Sequence, residues 1–109
     1  MNKIDLKNKT AVVTGGAKGI GLAITKLFLE CGASVSLWDK DEKLVNEIAN
    51  QLSLQGNAEA IVTDVSNLAS VENAVIQTQK SMGRIDILIC NAGISGPNEK
   101  LWDYPPEAW

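Results

Sequence analysis

Residues 10–21 read TAVVTGGAKGIG, and their pattern governs the architecture of the chain. The first five are small or β-branched, as in a buried strand. Four glycines follow, at positions 15, 16, 19 and 21, and lead into a segment with helical periodicity. In such a context Gly15 permits a tight turn, Gly19 lets the backbone approach a phosphate, and Gly21 lets the helix pack closely on the sheet. The stretch therefore predicts a pyrophosphate site at a helix N-terminus, where the helix dipole adds positive charge.

The same glycines allow two other interpretations. A turn can need glycine for its geometry alone, and the spacing departs from the common G-x-G-x-x-G pattern. A P-loop is excluded, because Gly21 is followed by Leu22 and Ala23. A P-loop places there the lysine and hydroxyl residue that reach phosphate and magnesium.

Apolar periodicity predicts three helices and three further strands. The first helix is expected to end at Gly32 and to bury one apolar face. That face comprises Ile20, Ala23, Ile24, Leu27, Phe28 and Cys31. Asp41 is expected to cap a second helix, and Ser66 a third helix that closes at Gly83. The apolar face of the second helix is expected to comprise Leu44, Val45, Ile48, Ala49 and Leu52. The further strands are expected at residues 34–38, 58–62 and 85–90.

The alternation of strands and helices indicates an α/β fold with parallel strands and helices on both faces of the sheet. We expect a Rossmann-like doubly wound parallel sheet with the element order βαβαβαβ. Residues 94–106 contain one glycine and three prolines and are expected to form a loop. Residues 107–109 resemble the first turn of another helix.

Asp39 directly follows the second strand, about 20 residues after the glycine turn, as in dinucleotide-binding folds. A carboxylate there can bond both hydroxyls of an adenosine ribose and repels a 2′-phosphate, so it favours NAD over NADP. Lys18 and Lys40 lie nearby in sequence and can weaken that discrimination. The alternative role for Asp39 is a helix cap, for which Asp41 is better placed.

Two further groups follow strands that should end at the same edge of the sheet. Asp64 can accept a hydrogen bond from an adenine amino group, or it can favour the next helix through its charge. Its spacing leaves both roles open. Asn91, Ala92 and Gly93 follow the fourth strand, where small residues leave room for a ribose; the alternative is a simple strand-ending turn.

The composition excludes several classes of function. The net charge of −3 over 109 residues disfavours a nucleic-acid-binding protein. No apolar run is long enough for a membrane span, and the N-terminus lacks a secretory pattern. The chain has no histidine, which excludes a Ser-His-Asp triad, a histidine base and histidine-containing metal sites. Cys31 and Cys90 are expected to be buried thiols in a reducing, cytoplasmic compartment.

Together these motifs resemble the N-terminal half of a short-chain dehydrogenase/reductase. Residues 14–21 fit the family's T-G-x-x-x-G-x-G spacing, and Asp39, Asp64–Val65 and Cys90–Gly93 stand in register with it. The resemblance implies the strand order 3-2-1-4. It also implies an NAD cofactor bound across the carboxyl ends of the strands.

The resemblance assigns a role to each residue of this cofactor site. Contacts to the pyrophosphate would come from Gly15, Gly19, Ile20 and Gly21. Asp39 would bind the adenosine ribose, and the adenine would be held by Asp64 and Val65. The inner ribose would be lined by Asn91, Ala92 and Gly93. Thr14 would brace the turn that these last three residues form.

Members of this family move a hydride between nicotinamide and an alcohol or carbonyl carbon. Their proton comes from a tyrosine with a lysine four residues later. Tyr104 has Ala108 at that position and is followed by two prolines, so we expect it in a loop or pocket wall. The catalytic residues are expected beyond Trp109. Residues 1–109 are then the N-terminal part of a single, here truncated, NAD-binding Rossmann domain. The expected substrates are secondary alcohols or ketones of the hydroxyacyl, sugar or polyol classes.

Two other functions remain open at this point. A non-catalytic nucleotide-binding or interaction module would need no acid–base residues. A methyltransferase that uses S-adenosylmethionine also has a glycine turn and an acidic residue after its second strand, although Thr14 and the Asn91–Gly93 turn favour the dehydrogenase. The resemblance further implies a homodimer or homotetramer that acts on a small molecule.

Overall fold

A computed structural model describes residues 5–17 and 19–91 of the chain. Within these ranges strands and helices alternate, which confirms the order expected from the apolar pattern. The strands are β1 (Thr10–Thr14), β2 (Ser34–Asp39), β3 (Ala58–Val62) and β4 (Ile87–Cys90). The helices are α1 (Gly19–Glu30), α2 (Glu42–Leu52) and α3 (Leu68–Met82).

The strands form one parallel sheet in the order β3-β2-β1-β4, as the resemblance implies. Val13 in β1 lies beside Leu37 of β2 on one side and Ile89 of β4 on the other. The chain first builds outward from β1 to β3 and then returns to place β4 on the opposite side of β1. Such a reversal of strand order opens a crevice at the carboxyl ends of the strands. The fold is therefore the Rossmann-like sheet that was expected.

Two apolar clusters cover the two faces of the sheet. On one face the strands pack with α1 and α2 around Leu37 and Val45. On the other face they pack with α3 around Trp38 and Val71. Successive strand residues point to opposite faces, so both β1 and β2 are buried on two sides. This double burial explains why β1 lacks a polar–apolar alternation.

A buried polar network ties α3 to the sheet. The Trp38 Nε1–H donates to Ser36 Oγ and to Thr78 Oγ1, each at 3.2 Å. The Ser36 hydroxyl bonds to Glu59 Oε2 at 3.2 Å, and the Ser81 hydroxyl donates to the same oxygen at 2.8 Å. The indole and both inner hydroxyl residues are fully buried. The bonds of Trp38, Ser36 and Thr78 therefore satisfy polar groups that water cannot reach.

The apolar face predicted for α1 packs on the sheet only in part, because Ile24 and Phe28 are half-buried against the core while other residues of that face are exposed. The buried residues are Gly21, Thr25 and Leu29, whereas Ile20 is 70% exposed and Leu27 is 54% exposed. Small residues at positions 21 and 25 bring the helix backbone close to the sheet. The Thr25 hydroxyl donates to the Gly21 carbonyl at 2.9 Å instead of facing solvent. The larger side chains of the predicted face flank this stripe.

Of the two predicted helix caps, one is confirmed and one is wrong. Asp41 caps α2, and its side chain accepts from the Leu44 N–H at 3.1 Å. The cap of α3 is Asn67, whose side chain accepts from the Ser70 N–H at 3.1 Å. Ser66 does not cap α3, because its hydroxyl donates to the carboxylate of Asp64 instead.

The last strand begins at Ile87, two residues later than predicted. The Asp86 N–H donates to the Thr10 carbonyl at 2.9 Å, and the Asp86 carboxylate accepts from the Thr10 N–H at 3.0 Å. The Thr10 N–H, followed by the side chain of Arg84, holds the pKa of Asp86 below its ordinary value. The Asp86 side chain, and not a backbone carbonyl, thus accepts from the Thr10 N–H. Regular pairing between the two strands therefore begins at Ile87, the residue after Asp86.

The two cysteines are less buried than expected. Cys31 is half-buried, Cys90 is exposed at the end of an edge strand, and both are free thiols. The prediction that both are buried is therefore wrong. Partial burial still raises the pKa of the Cys90 thiol, which keeps it protonated near neutral pH.

Several sequence predictions fall outside the described residues. They concern Lys18, Ala92, Gly93, the loop at residues 94–106 with Tyr104, and the helix start at residues 107–109. In the described part of the chain, no helix combines the length and hydropathy that a membrane crossing requires.

Candidate functional site

A cavity of about 560 Å³ lies where the carboxyl ends of the strands meet the start of α1. Its walls include predicted site residues from all four strand ends and from the glycine turn, namely Gly15, Gly19, Ile20, Asp39, Asp64, Val65 and Asn91. Thr14 and Gly21 do not line the cavity themselves, but both contact Asn91, which does. The fold thus brings together residues that are up to 76 positions apart in sequence, from Gly15 to Asn91 (91 − 15).

The glycine turn presents backbone to the cavity. Gly15 and Gly19 have φ angles of +64° and +60°, a left-handed conformation that side chains disfavour. The Gly15 N–H donates to the Trp38 carbonyl at 2.7 Å, which fixes the turn to the end of β2. A Cβ at Gly19 would meet nothing within 4 Å, so open space lies in front of this residue. Because α1 begins at Gly19, its first amides have no partner within the helix.

Gly21 brings the helix against the turn and the end of β4. A Cβ at this position would collide with the Gly15 carbonyl and would lie 2.8 Å from Asn91 Nδ2. Only glycine allows this approach. The predicted close packing is therefore present, but its partners are the turn and Asn91 as well as the sheet.

Thr14 links the ends of β1 and β4. Its hydroxyl donates to the Ile89 carbonyl at 3.3 Å and accepts from the Asn91 N–H at 2.8 Å. Thr14 itself is fully buried. These bonds fix the start of the segment after β4, and they form the brace that the family resemblance implied for Thr14.

Asp39 stands at the end of β2 with a half-buried side chain. Its Oδ1 accepts from the Asp41 N–H at 3.1 Å, and its carbonyl accepts from the Thr63 N–H at 2.9 Å. Asp41 caps α2, so the alternative role of Asp39 as the cap is not realised. The carboxylate instead forms part of the cavity wall.

Asp64 presents an ionised carboxylate to the same cavity. Its Oδ1 accepts from the Ser66 N–H at 2.9 Å and from the Ser66 hydroxyl at 2.5 Å. The Ser66 hydroxyl and then the Ser66 N–H hold the pKa of Asp64 below its ordinary value. Desolvation opposes them, and the charge of Lys40 lowers the pKa by a smaller amount than desolvation raises it. Asp64 precedes Asn67, the cap of α3, so it is not in the first turn of that helix.

Sequence reasoning missed three residues as parts of the cavity wall. Trp38, Thr63 and Ser66 line it, and Lys40 and Asp41, which were considered for other roles, line it as well. Each of these residues is one of the last two residues of a strand or one of the first few residues after it. That position in a parallel α/β sheet is the signal that identifies them.

The donors and acceptors of this cavity fit a dinucleotide. Free amides at a helix N-terminus suit a pyrophosphate, and carboxylates at two strand ends suit a sugar diol and an amino group. The opening in front of Gly19 leaves room for a ligand close to the backbone. In the described ranges, no group of three or more histidine, cysteine or acidic residues could hold a metal ion.

Residues 9–109 match the sequence profile of the family described as short chain dehydrogenase. A 3alpha-hydroxysteroid dehydrogenase from Mediterraneibacter gnavus is 40% identical over 105 residues, which are 94% of the chain and 42% of that protein. A 2-dehydro-3-deoxy-L-rhamnonate dehydrogenase (NAD(+)) from a Sphingomonas strain is 33% identical over 101 residues, which are 93% of the chain and 39% of that protein.

A solved structure supports the same relationship. The L-sorbose reductase of Gluconobacter frateurii, complexed with NADPH and L-sorbose, aligns with a TM-score of 0.81 and 32% sequence identity. The alignment covers 99% of the chain and 41% of the reductase. The chain therefore spans about two fifths of the length of the relatives it matches.

Proposed function

The chain belongs to the short-chain dehydrogenase family, and on that basis we propose that it is the cofactor-binding part of an NAD-dependent oxidoreductase. The family acts on CH–OH groups of small molecules, with a nicotinamide cofactor that carries the hydride. We assign the substrate to secondary alcohols or ketones of the hydroxyacyl, sugar or polyol classes. The observation that carries the proposal is the joining of a glycine-turn amide cradle and the Asp39 carboxylate in one cavity.

Each group of the cavity has one task in this proposal. The amides at Gly15, Gly19, Ile20 and Gly21 bind the pyrophosphate, aided by the dipole of α1. The diol of the adenosine ribose bonds to Asp39, and the adenine lies against Asp64 and Val65. Asn91, held by Thr14, borders the inner ribose with Ala92 and Gly93. Bound NAD supplies the hydride-accepting carbon, and these residues fix its orientation.

The preference for NAD over NADP depends on the charge at Asp39. A carboxylate can accept hydrogen bonds from both ribose hydroxyls of NAD. It has no hydrogen-bond donor to offer the 2′-phosphate of NADP, and its negative charge repels that phosphate. Lys40 lies in the same cavity and opposes part of this repulsion. The relatives support neither cofactor alone, since one is named for NAD(+) and another holds NADPH.

We further propose that residues 1–109 are the N-terminal part of a single dinucleotide-binding domain. The relatives are more than twice as long as the matched region. In addition, β4 is an apolar strand at the sheet edge, and the described residues leave it only half-buried. Apolar edge strands are normally paired or covered. The acid–base residues are then supplied by chain beyond residue 109.

We also propose an oligomeric state and a cellular location for the protein. We assign a homodimer or homotetramer, formed through parts of the domain beyond β4. We assign a cytoplasmic location, which suits the free thiols of Cys31 and Cys90.

The test is an assay of hydride transfer by the native polypeptide that carries these residues. It is mixed with NAD or NADP and a panel of secondary alcohols, and reduced cofactor is followed by its absorbance. We expect turnover with NAD on at least one hydroxyacyl, sugar or polyol substrate. Tight NAD binding without any turnover would support a non-catalytic nucleotide-binding module instead. Failure to bind either cofactor would contradict both.

A further inference from the structure

The turn after β3 holds the Asp64 carboxylate in one orientation. Both donors of Ser66, its N–H and its hydroxyl, bond to the same oxygen, Oδ1, at 2.9 and 2.5 Å. An ionised carboxylate oxygen has two lone-pair sites, so these two bonds fill Oδ1. In residues 5–17 and 19–91 no donor bonds to Oδ2.

The backbone under this carboxylate is also fixed. The Asp64 N–H donates to Ser70 Oγ at 2.9 Å, and the Asn67 N–H donates to the Asp64 carbonyl at 3.0 Å. The Ser70 N–H in turn donates to the cap side chain of Asn67. Residues 64–67 are thereby tied to the first turn of α3. The one remaining freedom of Asp64 is rotation of its side chain, and Ser66 restrains it.

From this geometry we infer that Ser66 is a positioning residue that makes the cavity selective for a purine with an amino group at position 6. Ser66 occupies Oδ1, so Oδ2 is the oxygen that Asp64 offers to a ligand in the cavity. An ionised carboxylate only accepts hydrogen bonds, so the matching ligand group is a donor. The inference rests on the proposed function, because it requires the adenosine part of a dinucleotide to lie in this cavity.

The charges around Asp64 agree with an acceptor that stays ionised. Lys40, directly after β2, attracts its negative charge. Asp39 and Asp41 line the same cavity as like charges, and the Ser66 hydrogen bonds keep Asp64 ionised beside them. The Ser66 hydroxyl contributes most to holding the pKa of Asp64 low. Removing this hydroxyl therefore loosens the carboxylate without removing its charge near neutral pH.

The test compares two reduced dinucleotides on the native polypeptide by calorimetry. NADH carries the amino group at position 6 of its purine, and reduced nicotinamide hypoxanthine dinucleotide carries a carbonyl oxygen there. Three variants are measured beside the wild type, namely Ser66→Ala, Ser66→Thr and Ser53→Ala. Ser53 is the control, because its exposed hydroxyl donates to the Asn50 carbonyl at the far end of α2.

We expect Ser66→Ala to weaken NADH binding about three- to tenfold, the effect of freeing one side chain. The loss for the hypoxanthine dinucleotide should be clearly smaller, because its position 6 carries an accepting oxygen and its remaining donor, the N1–H, lies one ring atom away from that position. Ser66→Thr keeps the hydroxyl and should restore NADH binding, and Ser53→Ala should affect neither ligand.

An equal loss for both dinucleotides would overturn the inference, because Ser66 would then only support the fold. No loss for either dinucleotide would overturn it as well. A wild-type protein that binds neither dinucleotide would contradict the proposed function itself, and the role of Ser66 with it.

Discussion

Asp39 and Asp41 are carboxylates two positions apart, and the fold gives them different tasks. Asp41 turns towards the Leu44 N–H and caps α2. Asp39 remains at the cavity wall, with one oxygen bonded to the Asp41 N–H. At the residue scale, the carboxylate that we propose for cofactor choice is therefore one that the helix cap does not use.

Replacing Asp39 by serine should change the choice between cofactors. Hydrogen bonds to a charged group are worth about 1.5–3 kcal/mol, so Asp39→Ser should weaken NADH binding about ten- to hundredfold. NADPH binding should improve, because the repulsion of its 2′-phosphate is removed. Calorimetry with both cofactors measures the ratio. The matched control is Glu47→Gln, an exposed carboxylate on α2. An unchanged ratio would exclude Asp39 from the ribose site.

A substitution at Gly21 tests whether the backbone amides of the glycine turn bind the pyrophosphate. An added methyl group meets the Gly15 carbonyl and Asn91 Nδ2, so Gly21→Ala must move the start of α1 away from the turn. Forced overpacking of this kind costs about 1–3 kcal/mol. We expect NADH affinity to fall at least about tenfold. At Gly56 the nearest atom is the flexible end of Leu29, so Gly56→Ala should leave binding unchanged. If Gly21→Ala and Gly56→Ala bound NADH with equal affinity, the proposed role of the glycine-turn amides would be contradicted.

At the element scale, α3 depends on polar contacts as well as apolar ones. Thr78 is fully buried and meets both the Trp38 indole and the Ser36 hydroxyl. The sheet on this side carries fewer buried apolar residues than the face under α1 and α2. The hydrogen bonds therefore specify how α3 docks on β2.

Thr78→Val should destabilise the protein with little change in shape. It keeps the side-chain volume but leaves the indole N–H and the Ser36 hydroxyl with one partner fewer. Loss of a buried partner costs about 1–3 kcal/mol of the free energy of unfolding. Denaturant unfolding monitored by circular dichroism measures this value. Thr78→Ser retains the hydroxyl and should lose less; a larger loss for serine than for valine would mean that methyl packing matters more than the network.

The sequence predicted the positions of the strands and helices well. It predicted less well which face of each helix packs on the sheet. Short β-branched runs and glycine stops determine local conformation, so β1, β2 and β3 were placed closely. The packed face of α1 was predicted only in part. Ile24 and Phe28 do pack against the core, but the most buried residues include Gly21 and Thr25, which are small or polar and carry no apolar signal. Their burial depends on how close the helix axis lies to the sheet. Likewise, Ser66 looks like a cap until the competing carboxylate of Asp64 is known in space.

The residues of the candidate site could be predicted from their positions along the sequence. Residues after parallel strands meet at one edge whatever the details of packing, so Gly15, Asp39, Asp64 and Asn91 could be grouped from their positions alone. The hydrogen bonds that orient them could not. Which oxygen of Asp64 is occupied, and which residue takes the cap of α3, are decided by contacts over a few ångströms.

At the scale of the whole molecule, the two edge strands of the sheet formed by the described residues differ in composition. The edge strand β3 carries Glu59 and an exposed Val62, whereas the opposite edge strand β4 is apolar throughout. β1 and β2 lie between them and are almost completely buried. The two edges thus differ in the kind of neighbour they suit.

Amide hydrogen exchange of the native polypeptide tests this asymmetry. If the domain continues past β4, as proposed, amides of β4 should exchange as slowly as those of β1, because both strands then lie inside the sheet. Amides of β3 should exchange faster, since it remains an edge. Mass spectrometry of peptides covering the three strands gives the rates. Exchange in β4 as fast as in β3 would contradict a continued sheet.

The most direct test of the central claim is a crystal structure of the native polypeptide with NADH bound. We predict that the pyrophosphate lies within hydrogen-bond distance of the amides at residues 15–21. The diol of the adenosine ribose should lie on the Asp39 carboxylate. A nucleotide found elsewhere, or a cavity filled by side chains under saturating NADH, would contradict the account.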